Sequence, residues 1–311
     1  MKLSQKQQTA GVHVMVFGPP KVGKSQLAGE MAKHGYKLLW IDLENGWEVL
    51  QKLPPEVQDN IEIVALPDTR TYPIGIQTML KIVTGAKHVI CDEHGTTNCP
   101  LCKKNTEATY TTVELNTLDP AEWIVVIDTT TQLATSAMAH ITKSQSDDYK
   151  PDWDDFMKQG VLMDKFFSSV QQARWNCICI AHEIEVEMED GKKRLVPIGG
   201  TTNFSRNVAK YFGHVIRAEV KNKKHTFGSA TTFSIAALTG SRTDVAIEGM
   251  GEPSLLPFFR KGSNSGGGGT SEATSVSAGP TEVATSESGS SSLTALERYK
   301  QQQAAKKASG G

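Results

Sequence analysis

The stretch VFGPPKVGKSQL at residues 16–27 decides the fold of this chain. It continues an apolar run, residues 12–17, that is typical of a buried strand, and it matches the pattern Gly-x-x-x-x-Gly-Lys-Ser. In such a turn, backbone N–H groups face phosphate oxygens, the lysine reaches the β and γ phosphates, and the serine hydroxyl binds magnesium. An ordinary glycine-rich turn is the plain alternative, but the strand before it and the helix after it favour a nucleotide site. The residues predicted to line that site are Gly18, Pro19, Pro20, Lys21, Val22, Gly23, Lys24, Ser25 and Gln26.

Two further apolar strands end in carboxylates. EWIVVIDTT at residues 122–130 ends its apolar part at Asp128, which can share a magnesium ion with Ser25. KLLWIDLE at residues 37–44 ends at Glu44 and places a carboxylate near the expected γ phosphate. Such a group can orient or deprotonate the attacking water. A solvated acid at a strand end is the alternative for Glu44.

Strands and helices alternate through the first 261 residues, which indicates an α/β fold with a mostly parallel central sheet and helices on both faces. The ligand of such a sheet lies at the carboxyl ends of its strands. Two late apolar runs, HVIRAEV (214–220) and TTFSIAAL (231–238), are predicted to be antiparallel strands that extend the sheet. The earlier predicted elements are strands at 12–17, 37–44, 122–130 and 176–183, and helices at 26–34 and 155–173.

Composition limits the function classes. With 38% hydrophobic residues the 311-residue chain can bury a substantial core, and its formal net charge of -1 argues against a general polyanion binder. No stretch is long enough for a membrane span, and the N-terminal segment MKLSQKQQTAG lacks the apolar region of a secretory signal. We therefore expect a cytoplasmic protein that has no membrane partner. An odd number of cysteines, five, indicates thiols or metal ligands rather than a disulfide framework.

One short segment, HVICDEHGTTNCPLCKKN, contains two pairs of metal ligands at standard spacing. Two such pairs separated by a short turn suit a closed, structural zinc site, and two unrelated thiol pairs in a loop are the alternative. The metal would hold together an insertion at about residues 85–118, where a bare loop of that length is costly to order. Cys177 and Cys179 lie on a predicted buried strand and are read as inert core thiols. The predicted zinc ligands are Cys91, His94, Cys99 and Cys102.

The order of these motifs resembles that of the RecA superfamily of P-loop ATPases. In that family the glutamate of an I-D-x-E strand is the catalytic base, and the resemblance assigns this role to Glu44 in WIDLENG. A later apolar strand of the family ends in a polar sensor of the γ phosphate, which corresponds to His182 in CICIAHE, where bacterial RecA has glutamine. Histidine can still donate a hydrogen bond to phosphate. A histidine at a strand end in the core is the alternative.

The resemblance extends from about residue 12 to residue 240. The segment 197–212 resembles the Gly-Gly turn and helix that close the family's second DNA-binding loop, and the segment 219–235 resembles the strand that carries its subunit-bridging lysines. By position, Lys221 and Lys223 would reach the γ phosphate bound by a neighbouring subunit. The chain is most similar to the minimal, core-only RecA-like proteins of bacteriophages, which are implicated in single-strand annealing and recombination. The resemblance implies a homo-oligomer, either a ring or a filament.

Two segments are candidates for DNA contact. The segment 183–200 is predicted to be a β-hairpin that turns at Asp190 and Gly191, but four glutamates on its outgoing arm oppose a simple basic groove. A solvated hairpin of mixed charge is the alternative. The segment 143–155 corresponds in order to the first DNA-binding loop of the family, and its aromatic residues can stack on bases or pack on the core. The candidate contacts are Lys192, Lys193 and Arg194 in the hairpin, and Tyr149 and Trp153 in the other segment.

The composition changes towards the C-terminus. We expect a RecA-like ATPase core at residues 1–261 and a flexible linker at residues 262–292, because that segment is rich in Gly, Ser, Thr, Ala and Glu. Residues 293–311 contain a capping-box pattern, Thr294 and Glu297, and are expected to form a short helix that docks on a replication or recombination protein, or else a frayed tail.

Three functions remain open from the sequence. The first is an ATPase that uses ATP and Mg²⁺, assembles on single-stranded DNA and promotes annealing or recombination, with hydrolysis stimulated by that DNA. The second is a P-loop kinase of a small molecule, which would need an acceptor pocket and usually an arginine-rich lid. The third is an ATP-gated adaptor that scarcely hydrolyses ATP and recruits a replication protein through its C-terminal helix.

Overall fold

The computed structural model describes residues 11–68, 72–146, 148–228, 237–242 and 253–259. Within these residues the strands are β1 (His13–Phe17), β2 (Lys37–Asp42), β3 (Ile61–Ala65), β4 (His88–Cys91), β5 (Tyr110–Val113), β6 (Trp123–Asp128), β7 (Asn176–Ala181), β8 (Glu183–Glu187), β9 (Lys193–Pro197), β10 (His214–Lys221), β11 (Lys224–Gly228) and β12 (Gly240–Ser241). The α-helices are α1 (Lys24–Gly29), α2 (Pro55–Gln58), α3 (Gly75–Ile82), α4 (Thr130–Thr142), α5 (Trp153–Gln172), α6 (Thr202–Ser205) and α7 (Leu256–Phe259). Short 3₁₀ helices cover Glu30–His34, Trp47–Lys52, Cys102–Lys104, Leu115–Thr117 and Val208–Tyr211.

The main sheet has the strand order β11-β10-β1-β7-β6-β2-β3, and β12 also pairs with β10. Every neighbouring pair from β10 to β3 is parallel, whereas β11 and β12 run antiparallel to β10. Parallel sheets of this kind are covered on both faces by helices. The predicted α/β class with a mostly parallel sheet is confirmed.

The direction of β10 corrects one prediction. Residues 214–220 do form a strand, but it runs parallel to β1 and not antiparallel. The apolar run carries no signal of direction, which is set by the crossover through α6 that returns the chain to the amino edge of the sheet. Of the other predicted antiparallel strand, residues 231–236 lie outside the described residues. Ala237, which follows them, forms an isolated parallel bridge with Leu195.

The helices also refine the predictions. The helix expected at residues 26–34 begins earlier, at Lys24, and continues as a 3₁₀ helix from Glu30 to His34. The helix expected at residues 155–173 is α5, whose first turn is fixed by a capping box between Asp152 and Asp155.

Successive strand residues face opposite sides of the sheet and so divide the core in two. On one side Val14 and Val16 of β1 pack with Leu27 of α1 and with the described C-terminal helix α7. On the other side Met15 and Phe17 pack with the apolar faces of α3, α4 and α5. The strands β1, β6 and β7 are almost completely buried, which holds their carboxyl ends in fixed positions.

The carboxyl ends of the parallel strands meet at one edge of the sheet, which we call the carboxyl edge. Asp42 of β2 lies opposite Asp128 of β6, and Asp128 lies opposite Ile180 of β7. Phe17 of β1 lies opposite Ala181 of β7. The residues that follow these strands therefore lie close together, as expected for a ligand site of an open α/β sheet.

The predicted insertion contains the two-stranded antiparallel sheet of β4 and β5. The turn after β4 is anchored to the main domain because the Thr78 hydroxyl of α3 donates to the Gly95 carbonyl at 3.0 Å. Gly95 has φ +58°, and a Cβ there would lie 2.8 Å from the Leu66 Cα. The insertion thus packs directly on the segment that follows β3.

The predicted linker at 262–292 and the predicted helix or tail at 293–311 lie outside the described residues. Within the described ranges, no helix combines the length and the apolar character that crossing a membrane requires.

Candidate functional site

The phosphate loop, residues 18–25, connects β1 to α1 at the carboxyl edge. Its backbone has positive φ at Lys21 (63°) and Gly23 (88°), which turns successive N–H groups in the manner of an anion-binding nest. Lys24 begins α1 and is buried, and its Nζ donates to the carbonyl oxygens of Gly18 at 3.0 Å and Pro19 at 2.7 Å. The ammonium is therefore held over the mouth of the loop.

Ser25 and Asp128 are brought together by α1 and β6. The Ser25 hydroxyl donates to Asp128 Oδ2 at 2.9 Å. Burial raises the pKa of Asp128 to about 7, with the hydrogen bond from Ser25 opposing this and the charges of Asp42 and Glu44 adding to it. The Ser25 hydroxyl and the Asp128 carboxylate, with the negative charges of Asp42 and Glu44 nearby, are oxygen ligands of the kind that Mg²⁺ prefers. The predicted pairing of these two residues is thus present in the geometry.

Glu44 is held by residues that follow two other strands. The Thr129 hydroxyl donates to Glu44 Oε1 at 2.5 Å, and His182 Nε2 lies 3.6 Å from the same oxygen. Burial raises the pKa of Glu44, but the hydrogen bonds from His182 and Thr129 and the charges of His182 and Lys24 outweigh it, so that the pKa is lowered overall. The carboxylate is therefore ionised at neutral pH and points into the site rather than across the sheet.

His182 directly follows β7, which lies between β1 and β6 in the sheet. Its backbone N–H donates to the Thr131 hydroxyl of α4 at 2.8 Å. Its Nδ1 is buried and has no hydrogen-bond partner among the described residues. His182 therefore lies beside Glu44 at the carboxyl edge.

Three carboxylates act on Lys24. Burial lowers the pKa of this ammonium, and the charges of Asp128, Glu44 and Glu183 oppose the effect of burial. The lysine thus sits among acids that would repel a phosphate unless a cation accompanied it.

The β10–β11 hairpin contacts the phosphate loop within the same chain. The ring Nδ1 of His225 lies 3.0 Å from the Val22 carbonyl oxygen and so donates to it. The hairpin turns at Asn222 and Lys223, which both have positive φ, and Lys221 pairs with Glu219 at 2.5 Å. Lys221 and Lys223 are exposed at this turn.

Two functional candidates, Glu183 and Arg217, were not predicted from the sequence. Arg217 Nε donates to Glu183 Oε2 at 2.8 Å, and both side chains are largely buried. The signal was present as an arginine inside the apolar run HVIRAEV, but its partner is 34 residues away and becomes visible only from the strand order.

The predicted DNA-contacting residues are separated in space into a hairpin and a helix start. Strands β8 and β9 form the predicted hairpin, in which Lys193 pairs with Glu185 at 3.0 Å and Arg194 pairs with Asp190 at 2.8 Å. Lys192 is exposed at the turn.

At the helix start, Trp153 is 72% exposed, whereas the Tyr149 hydroxyl donates to Asp155 at 2.5 Å and helps to fix α5. Trp153 and its neighbour Phe156 line an open, mostly apolar groove of about 1210 Å³ between α4, α5 and α6. A smaller cavity of about 650 Å³ adjoins Glu44 at the ends of β2 and β3.

The four predicted zinc ligands converge. We call their segment, residues 91–102, the metal knuckle. Its four ligand atoms lie within 4.8 Å of one another, and Cys102 Sγ lies 3.2 Å from both Cys91 Sγ and His94 Nδ1. Ligands of a tetrahedral zinc site with Zn–S bonds of about 2.3 Å lie roughly 3.5–4 Å apart, so three thiols and one imidazole at these separations fit such a site.

Comparisons with known proteins complete the description. A family model described as "AAA domain" matches residues 10–243. No curated protein matches the chain. Among solved structures, the flagellar accessory protein FlaH from Methanocaldococcus jannaschii is similar at 12% identity and a TM-score of 0.32, over 71% of this chain and 77% of that chain. A prototypical ATPase from the type III secretion system of pathogenic bacteria is similar at 12% identity and a TM-score of 0.35, over 69% of this chain and 53% of that chain.

Proposed function

Because the chain belongs to the AAA domain family and is an ATPase, we propose that it is a RecA-like P-loop ATPase that uses ATP to act on single-stranded DNA and to promote annealing or recombination, like the core-only RecA-like proteins of bacteriophages. One observation carries this proposal. His182, which faces Glu44 at 3.6 Å, is directly followed by Glu183, the first residue of the β8–β9 hairpin. The residue that would sense ATP and the candidate DNA-binding arm are therefore neighbours in the chain.

The site residues have distinct roles in the proposed hydrolysis. Lys24 and the N–H groups of the phosphate loop bind the β and γ phosphates, and Ser25 and Asp128 would hold Mg²⁺. The ion, when bound there, neutralises charge on the phosphate oxygens. Glu44, ionised and oriented by Thr129, positions the attacking water for in-line displacement. His182 donates a hydrogen bond to the γ phosphate and thereby reports its presence.

The central experiment measures ATP turnover with and without single-stranded DNA. We expect Lys24→Ala to lose nucleotide binding and turnover together. We expect Glu44→Gln to bind ATP normally and to lose turnover by about 10²- to 10⁴-fold, because it keeps the shape of the side chain but loses the charge that activates water. The exposed Glu48→Gln is a matched control in the following 3₁₀ helix and should behave as wild type.

The DNA part of the proposal has its own variant. Replacing the hairpin cations together, Lys192→Gln, Lys193→Gln and Arg194→Gln, should weaken binding to single-stranded DNA and reduce the slope of affinity against salt by about 2. Basal turnover should remain. If the wild type does not bind single-stranded DNA at low salt and its turnover does not change when that DNA is added, the DNA function is wrong while the ATPase assignment stands.

We further propose that the metal knuckle binds structural zinc. All four positions are filled by protein ligands, which leaves no open position for a substrate. Purified protein should contain about one zinc per chain, and Cys99→Ser should reduce this content and lower the melting temperature. Purified protein that contains no zinc, and whose melting temperature does not change when a chelator is added, would contradict the assignment.

The partners are proposals as well. We propose a homo-oligomer in which Lys221 and Lys223 reach the γ phosphate held by the neighbouring subunit. Lys221→Ala and Lys223→Ala should then lower turnover only under conditions in which subunits assemble. Particle size, measured in the same samples as turnover, shows whether the subunits are assembled. Deleting residues 262–311 tests the adaptor alternative, since loss of binding to a replication or recombination protein with intact ATPase would favour it.

A further inference from the structure

A chain of ion pairs crosses the carboxyl end of the strand that leads into the phosphate loop. Arg217 belongs to β10 and Glu183 follows β7, and β1 lies between these two strands in the sheet. Phe17 of β1 is opposite Arg217 on one side and Ala181 on the other. The guanidinium reaches over this point to bind Glu183 through Nε at 2.8 Å and through Nη2 at 3.3 Å.

The ion pair is largely shielded from water. The side chains of Arg217 and Glu183 are 16% and 14% exposed. A two-point contact of this kind is strong, and removal of one partner leaves a poorly solvated charge behind. Arg217 also binds Glu219 through Nη1 at 2.5 Å, and Lys221 binds the other oxygen of Glu219. One arginine thus serves two carboxylates.

Both ends of the Arg217–Glu183 pair are attached to functional elements. On the β10 side, Gly18 of the phosphate loop packs so closely on Ala218 that a Cβ would lie 2.1 Å from its carbonyl oxygen. On the other side, Glu183 pairs with Pro197 at the base of the β8–β9 hairpin. The pair therefore ties the base of the hairpin to the edge of the nucleotide site.

The charge of a γ phosphate would compete for this arginine. Glu183 is one of the three carboxylates whose charge reaches Lys24, the residue that binds the β and γ phosphates. A γ phosphate at Lys24 therefore adds negative charge beside Glu183 and attracts the guanidinium. ADP, which lacks the γ phosphate, adds less charge at this point.

We propose that Arg217 exchanges its bond to Glu183 for the γ phosphate of ATP and so releases the base of the β8–β9 hairpin. The inference rests on the proposed function in one respect: that function makes the chain bind ATP at Lys24 and makes the β8–β9 hairpin the arm whose release matters. It assigns the nucleotide signal to an ion pair within one subunit.

Limited trypsin digestion of the full-length protein without DNA tests the exchange. Cleavage after Lys192, Lys193 and Arg194, followed by mass spectrometry, should be about tenfold faster with a non-hydrolysable ATP analogue than with ADP, as expected for the loss of a charge-assisted bond. In the double variant Glu183→Gln with Arg217→Gln, cleavage should be fast with either nucleotide. Equal cleavage of the wild type with both nucleotides would overturn the proposal.

Nucleotide affinity gives a second readout that a merely structural role would not move. Arg217→Gln should weaken binding of the ATP analogue about tenfold while ADP changes little, since the γ phosphate loses its bond to the guanidinium and is repelled by the unpaired Glu183. The double variant should recover only the part of this loss that the unpaired Glu183 causes, and Arg217→Lys should retain part of the wild-type affinity. If Arg217→Gln weakens binding of the analogue and of ADP equally, Arg217 only supports the fold and the proposal is wrong.

A matched control uses an ion pair remote from the site. Lys158→Gln removes the exposed pair with Asp154 on α5 and should leave both readouts unchanged. Because no DNA is present in either assay, the proposed exchange can prove wrong while the DNA function stands. Likewise, the exchange can be observed even if the protein does not act on DNA.

Discussion

Glu44 depends on two residues that come from other strands. Thr129 follows β6 and His182 follows β7, and both approach the same oxygen of Glu44. The Thr129 hydroxyl has a second task, because it accepts the Gln132 N–H and caps α4. One hydroxyl therefore fixes both the start of a helix and the direction of the carboxylate.

Thr129→Val should consequently lower the turnover number about tenfold with little change in KM, because the carboxylate loses a hydrogen bond that orients it. Thr129→Ser keeps the hydroxyl and should retain most of the activity. Steady-state kinetics of the two variants make the comparison. Equal turnover in both variants would show that Glu44 does not need this hydroxyl.

Gly18 is required by close packing as well as by its backbone. Its φ is +153°, and a Cβ would lie 2.1 Å from the Ala218 carbonyl oxygen. Gly18→Ala should therefore separate β1 from β10 and destabilise the protein by on the order of 3 kcal/mol, measured by urea unfolding. Gly160→Ala on α5 is the control, since no atom lies within 4 Å of the added methyl group. It should be neutral or stabilise the helix by up to about 1 kcal/mol.

At the scale of elements, the sequence was informative where a local pattern carries the information. The phosphate loop, the acidic end of β6 and the Asp-Gly hairpin are each defined by neighbouring residues, and each is present. The direction of β10 was wrong because a short apolar run is the same for parallel and antiparallel pairing. The Arg217–Glu183 pair was missed because it joins strands on either side of β1, and no sequence pattern encodes that order.

The capping box at the start of α5 should make a measurable contribution to the free energy of unfolding. Asp152 accepts the Asp155 N–H at 3.1 Å, and Asp155 accepts the Asp152 N–H at 3.2 Å. Asp152→Ala should lower the free energy of unfolding by about 1 kcal/mol, whereas Asp152→Asn should keep most of it. Chemical denaturation of the two variants distinguishes them. The exposed Asp154→Ala should change stability by less than about 0.5 kcal/mol.

At the scale of the whole molecule, the strand order gathers the site. Because β7 lies between β1 and β6, the residue after β7 follows a strand placed between the strand that leads into the phosphate loop and the strand that ends in Asp128. The residue types could be predicted from strand ends, and the convergence of Glu44, Asp128 and Lys24 followed from a parallel sheet. Which strand lies between which others is set by the packing of both apolar faces, and that is a property of the complete fold.

Two buried histidines give the molecule a dependence on pH. Burial lowers the pKa of both His13 and His214 to about 4, and the charge of Arg242 contributes. The unfolded chain binds these protons near pH 6.5, so the unfolded state holds more protons between pH 6.5 and pH 4. The two histidines should therefore contribute a fall in stability of on the order of 2 to 4 kcal/mol on going from pH 7 to pH 5, which protonation of the buried Asp128, whose pKa is raised to about 7, partly offsets.

Urea unfolding at several pH values measures this fall. His13→Phe should remove part of it, because the ring contact with Trp175 is kept while the titrating group is lost. His34→Gln, at an exposed position, should leave the pH dependence unchanged. A pH dependence between pH 7 and pH 5 that is the same in His13→Phe as in the wild type would contradict the prediction.

The positions of the five cysteines allow metal loss to be distinguished from unfolding. Cys177 and Cys179 are fully buried in β7, whereas the other three cysteines are all in the metal knuckle. A thiol-alkylating reagent should therefore modify none of the five when zinc is bound, the three of the knuckle after chelation, and all five only after global unfolding. The number of alkylated sites, read by mass spectrometry, would separate metal loss from denaturation in a single sample.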